Sequence, residues 1–283
     1  MGEGAPVDVA TVLCQWATGG LAYLWLTTRR REVGLGYGWL LRSLYGAIAV
    51  IAAVTGFVFQ PNAVRDVACI AVSACAFATL ARSARPEAST AGSAVPHQGN
   101  GSDGVESPGL SPRRTIEGFD PRWDLAAPLA GVVGVVAAGL GASGDVNPAL
   151  HLARVIAGAA FLGVVSDSML LGHWYLVQPG LRREPLRELV RHLGAVWSVE
   201  VGLLLLPTGM IAVLTGSIDD GYGGLLGWFW VACAITTAAL AAVAMAALRE
   251  RQYAAVMAAT GLLYLAILTG FGTDLVARLT LVS

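Results

Sequence analysis

Residues 161–207 read FLGVVSDSMLLGHWYLVQPGLRREPLRELVRHLGAVWSVEVGLLLLP. Two apolar runs flank a short connection that carries Arg182, Arg183 and Arg187, with Arg191 just beyond it. Each run is long enough to cross a bilayer as a helix, since about 20 residues at 1.5 Å rise cover a hydrocarbon core of ~30 Å. The stretch is therefore a helical hairpin with its basic turn at one membrane surface. The rest of the chain repeats the pattern.

Outward from this hairpin the apolar segments number eight. They run Val7–Thr28, Trp39–Gln60, Ala63–Ser83, Leu125–Ser143, Leu150–Val177, Leu189–Gly216, Gly223–Leu248 and Tyr253–Leu281. Strands of a barrel would alternate apolar and polar at every second position, and these segments do not. The fold class is an all-α integral membrane protein of about eight transmembrane helices. Composition agrees: 55% of the 283 residues are hydrophobic and 13% charged, about half the charge of a soluble domain. The mean hydropathy is +0.64. A net charge of −1 gives no reason to expect a nucleic-acid partner.

The arginines between the segments orient them. Arg29, Arg30 and Arg31 lie in the first gap, and Arg85, Arg113, Arg114 and Arg122 in the third. Arg182, Arg183 and Arg187 lie in the fifth, and Arg249 and Arg251 in the seventh. The even gaps hold no arginine beyond Arg65 at an edge. Positive loops stay in the cytoplasm, so both termini are expected outside. The chain has no lysine, a codon habit of high-GC bacterial genomes, and the expected location is the bacterial cytoplasmic (inner) membrane. The opening MGEGAPVD is acidic, unlike the start of a cleavable signal peptide. Residues 84–124, rich in Ser, Gly and Pro, are expected to form a disordered cytoplasmic linker. It divides a three-helix segment (1–83) from a five-helix segment (125–283).

Four cysteines, Cys14, Cys69, Cys75 and Cys233, all fall in apolar runs without a CxxC spacing and read as buried thiols. The GLGYG at 34–38 follows no strand and reads as a turn. Neither a metal site nor a nucleophile–base constellation is indicated.

Ionisable side chains inside a span are costly, and they are the candidate functional residues. Asp167 lies about 15 Å from the cytoplasmic edge of the fifth span, and Glu200 about 12 Å into the sixth if that span enters the core at His192. At similar depth on adjacent antiparallel helices they are expected to form an acidic pair, one of them holding a proton. The alternative roles are structural: Asp167 pairing with Arg42, and Glu200 serving as a hydrogen-bond acceptor. His173 and His192 lie nearer the cytoplasmic edge, where they would feed a proton relay. They would otherwise ligate one b-type haem, or His173, Trp174 and Tyr175 would hold a quinone. At the outer end, His151 and Arg154 are expected near Asp274 and Arg278, themselves an i,i+4 pair. Arg182, Arg183, Arg187 and Arg191 form a basic strip suited to anionic lipid headgroups. Pro185 suits the first turn of the sixth helix, and Pro207 with Gly209 should bend that helix beyond Glu200. Gly223–Gly227 offers a small-residue face for other membrane subunits.

Three functions fit these residues. One is a non-catalytic membrane subunit or anchor with a buried acidic pair. The second is a proton-coupled carrier using Asp167 and Glu200. The third is a redox subunit built on His173 and His192.

Overall fold

The computed structural model describes residues 8–84, 120–141, 147–178, 180–206 and 209–281. The expected disordered linker, apart from its edges, and the Pro207 bend lie outside the described residues. Among the described residues there are helices and no strands. They are α1 (Val9–Thr28), α2 (Leu35–Phe59), α3 (Ala63–Ala84), a 3-10 turn (Pro121–Leu125) running into α4 (Ala126–Leu140), α5 (Pro148–Val177), α6 (Glu184–Leu205), α7 (Met210–Leu214), α8 (Leu225–Ala247) and α9 (Tyr253–Leu281).

Local chemistry explains several boundaries. Asp8 caps α1 by accepting from the Thr11 backbone N–H at 3.1 Å. Asn147 caps α5 in the same way, and Pro148 fills a first-turn position whose N–H has no helical partner. Pro185 occupies the first turn of α6, as its sequence position predicts.

Seven of these helices, the 3-10 turn being counted with α4, are long and apolar enough to cross a membrane. This is the architecture of a multi-pass helical membrane protein. The sixth predicted span is the exception. It is not one continuous helix over 189–216 but α6 and the short α7, and α6 carries Glu184, Arg187, Glu188, Arg191 and Glu200. The GLGYG segment is also not a turn: Gly34 caps α2, and the next four residues begin it. Gly36 and Gly38 are small there because a Cβ would meet the Trp174 ring at 2.9 Å and Arg42 Nη1 at 2.8 Å. Within Gly223–Gly227, Gly227 packs against Val213 and Leu214 of α7, whereas Gly223 and Gly224 have another role. Their φ values of 65° and 85° make them turn residues ahead of α8, a conformation that favours glycine.

Helix α5 is the centre of the bundle. Of its most apolar stretch 78% is buried, against 33% for α8 and for α9. The main core joins Tyr37, Leu41 and Tyr45 of α2 to Phe161, Val165 and Leu171 of α5. Outward-facing side chains of α8 and α9, such as Trp228 and Leu268, are apolar and exposed, as a lipid-facing surface requires.

Contacts tie the arginine-bearing connections to one another. Arg29 bonds Glu188 at 2.9 Å, Arg182 stands 3.9 Å from Glu32, and Arg183 donates to the backbone oxygens of Glu250, Arg251 and Gln252. One end of the bundle is thus arginine-rich.

Candidate functional site

Six carboxyl side chains are buried among the described residues, and how each is compensated singles out two. Arg65 Nε donates to Asp66 at 2.9 Å. Arg42 grips Asp124 with two bonds of 2.8 Å. Arg278 grips Asp274 with bonds of 2.7 and 2.8 Å. Asp220, in the connection before α8, accepts from the backbone N–H groups of Tyr222, Gly224 and Leu226. Those bonds, that of Gly224 first, hold its carboxyl below the usual aspartate range. Asp167 and Glu200 have no such partners. Asp167 accepts one bond, from the Tyr45 hydroxyl, and its Oδ2 has no partner. Neither oxygen of Glu200 has one.

The two are not a pair. Glu200 shares a cavity of about 80 Å³ with His151, Arg154, Asp274 and Arg278. Arg154 is held beside the end of α6 by its bonds to the Leu203 and Leu206 carbonyls, at 3.0 and 2.6 Å. That part of α5 lies roughly 20 Å along the helix from Asp167. The expected match in depth fails because α6 begins at Glu184, well before His192, and so carries Glu200 to the far end of the bundle. The predicted meeting of His151 and Arg154 with Asp274 and Arg278 does occur there. Glu200 is the member of this group that depth counting missed.

Gln15 of α1 also belongs to the cluster. Its Nε2 donates to the Val155 carbonyl at 2.5 Å, while its Oε1 is buried without a partner. Gly158 provides the space: a Cβ there would meet Asp274 Oδ1 at 2.9 Å and Gln15 Nε2 at 3.4 Å. A glutamine in the middle of an apolar span was a legible signal, since it too needs partners that lipid cannot supply. His151 Nδ1 donates to the Gly139 carbonyl at 2.9 Å, which ties α4 to the same end.

Asp167 lies in a second polar site, among α1, α2 and α5. Its neighbours Ser166 and Ser168 turn their hydroxyls back to the Leu162 and Val164 carbonyls, both at 2.7 Å. Trp16 Nε1 donates to Ser166 Oγ at 2.8 Å. The Arg42 guanidinium bonds Asp124. Between the two sites α1 and α5 touch backbone to backbone, and a Cβ on Gly19 or Gly163 would strike the opposite main chain. Along α5, Gly163 lies between Arg154 and Asp167, so this close approach falls between the two sites.

The histidines do not share a ligand position. His173 pairs with the Tyr264 hydroxyl of α9 at 3.0 Å, whereas the His192 ring faces Tyr23 of α1 at 6.1 Å between centroids. The quinone triad also diverges. Trp174 donates to Gln178 at 3.0 Å and lies against Tyr37, and Tyr175 donates to the Arg182 carbonyl. Successive residues on a helix point about 100° apart, so neighbours in sequence face different helices.

The basic strip is partly consumed by the protein itself. Arg183 caps the α8–α9 connection, and Arg187 donates to the Leu248 carbonyl at 3.0 and 2.5 Å. Guanidinium groups at a helix C-terminus satisfy carbonyls that the helix leaves open. Arg182 and Arg191 are exposed at the same surface.

An apolar cleft of about 530 Å³ lies apart from both carboxyl sites, over α1, α4 and α5 with His192 at one edge. No family model, curated protein or solved structure matches the chain, so the reading of these sites rests on their geometry.

Proposed function

We propose that this chain is a proton-coupled carrier in which Glu200 and Asp167 are separate proton stations. The observation that supports this reading is selective compensation. Arginine or backbone N–H groups meet four buried carboxyls, and these two keep unpartnered oxygens. A buried carboxyl without a hydrogen-bond donor is costly, even where, as at Glu200, arginines stand in the same cavity, and a subunit that only anchors does not need that cost. A carrier does, because a carboxyl that exchanges a proton must keep an oxygen available for it.

The orientation follows from the arginine-rich end, which the positive-inside rule assigns to the cytoplasm. Glu200 then faces the outer side through its cavity, and Asp167 lies toward the inner side. The Gly19–Gly163 backbone contact lies between them and is the place where a coupled carrier would interrupt the route. Chain movement at the seam would connect the stations in turn.

The test uses the full chain in proteoliposomes with an internal pH indicator. Asp167→Asn and Glu200→Gln should each abolish proton-linked flux while leaving the protein folded and monodisperse. Flux at the unmodified rate in both variants would sink the proposal.

A further inference from the structure

The charge count in the Glu200 cavity depends on a single proton. Arg154 and Arg278 are cationic at any accessible pH. Asp274 offsets one of them through its two bonds to Arg278. Ionised Glu200 offsets the other. Protonated Glu200 leaves one positive charge over, and a charged His151 would add to it. The cavity is lined otherwise by apolar residues such as Val155, Leu204 and Ala277, so the surplus would be poorly screened.

We infer that this cavity binds a small inorganic anion, a halide or a compact oxyanion, together with the Glu200 proton. The inference rests on the reading of Glu200 as a proton station and gives that station a co-substrate. Three features support it. Glu200 is 1% exposed and neither oxygen receives a hydrogen bond, so a guest that accepts its proton competes only with the Asp274 carboxylate beside it. The Arg154 guanidinium is held in place by the Leu203 and Leu206 carbonyls and needs no reorganisation to meet an anion. The volume of about 80 Å³ is far below the ~300–1,000 Å³ of pockets for larger organic ligands and suits a compact ion.

The exchange balances. The Glu200 carboxylate takes one proton from the aqueous side and becomes a neutral acid. The neutral acid donates its O–H to one monovalent anion, whose charge Arg154 offsets. Loss of the proton restores the carboxylate, which repels the anion out of the cavity. No covalent bond to the anion forms, and the pair crosses without net charge. The other groups facing this chemistry are His151 on α5, Asp274 and Arg278 on α9, and Gln15 on α1, with Asp8 at the head of α1.

Chloride is the probe, with gluconate as the oversized control. In proteoliposomes, an inward chloride gradient should drive proton uptake, and gluconate should not. In detergent, chloride should raise the melting temperature more at mildly acidic than at mildly alkaline pH. Glu200→Gln, a permanently neutral mimic, should keep the chloride effect and lose its pH dependence. Arg154→Gln should weaken the chloride midpoint roughly tenfold, the loss of one charge-assisted contact. Proton flux equal in chloride and gluconate would overturn the anion inference and leave the proton stations standing. Chloride stabilisation that keeps its pH dependence in Glu200→Gln would also overturn it, by putting the anion elsewhere. Absence of proton flux alongside pH-dependent chloride stabilisation would instead retain the anion site and remove the carrier reading.

Discussion

Asp167 and Glu200 are the same kind of group at the same burial, and the protein treats them in opposite ways. Asp167 sits among α1, α2 and α5 with one tyrosine hydroxyl and no cation bonded to it. Glu200 sits in a cavity with two arginines and one aspartate, yet receives no hydrogen bond from either arginine. One site limits charge by sealing the group away, the other by surrounding it with a balanced set. A sealed site suits holding a proton, and a balanced site suits exchanging one.

The largest way to break this contrast is to remove a cation from the balanced site. Arg278→Met would leave Asp274 uncompensated beside Glu200, and unpairing a buried ion pair costs about 3–5 kcal/mol. The partial exposure of Arg278 puts the expected loss at the lower end of that range, and a denaturant titration in mixed micelles would read it. A loss under about 1 kcal/mol, the size of an exposed pair, would mean that Asp274 does not depend on Arg278.

Next in size is the seam between the sites. Gly163→Ala drives a methyl into the Gly19 backbone, and overpacking of this kind costs about 1–3 kcal/mol. The same variant should slow proton flux in both directions if the seam is the moving part. Unchanged stability would show that α1 and α5 separate easily there.

A smaller effect tests the sealed site. Tyr45→Phe removes the single hydroxyl that Asp167 accepts from, a change of about 1 kcal/mol. Thermal melts of Tyr45→Phe and Asp167→Asn, singly and together, should be non-additive because the two groups share one bond.

The smallest effect lies outside the membrane and serves as a control for both sites. The Asp220 carboxyl is held below its ordinary range by backbone N–H groups. Its contribution to stability is therefore present above the unfolded aspartate value, about 3.9, and is lost as pH falls through the lower folded value. Asp220→Asn should flatten the acid limb of a stability–pH curve without touching proton flux. A change in flux would move Asp220 into the mechanism.

Much of this architecture is legible in the chain. The apolar runs mark the helices, and the arginine-bearing gaps mark the connections that meet at one end. The grouping of His151, Arg154, Asp274 and Arg278 at one end of the bundle follows from direction and depth alone. The partners of the central acids do not. Tyr45 meets Asp167 across two helices distant in sequence, and nothing in either segment encodes that contact. Asp124 lay at the edge of the linker reading, so its capture of Arg42 was hidden. Glu200 was misplaced because hydropathy located the edge of the apolar run at His192, whereas the helix itself starts at Pro185 and its preceding glutamate. The charged first turns of α6 are stabilised by contacts with Arg29, Arg30 and the α8–α9 connection, which a local hydropathy reading treats as solvent.

The arginine clamp on the α8–α9 connection also bears on how the chain is made. Arg183 and Arg187 leave the ribosome well before Leu248 and Gln252, the carbonyls they finally grip. Until the last hairpin arrives, those guanidiniums lack these acceptors, and the anionic headgroups proposed for the basic strip would serve in their place. Docking of α8 and α9 then supplies the protein acceptors. At these two positions the strip expected to meet lipid is, in the finished fold, occupied by the protein's own carbonyls.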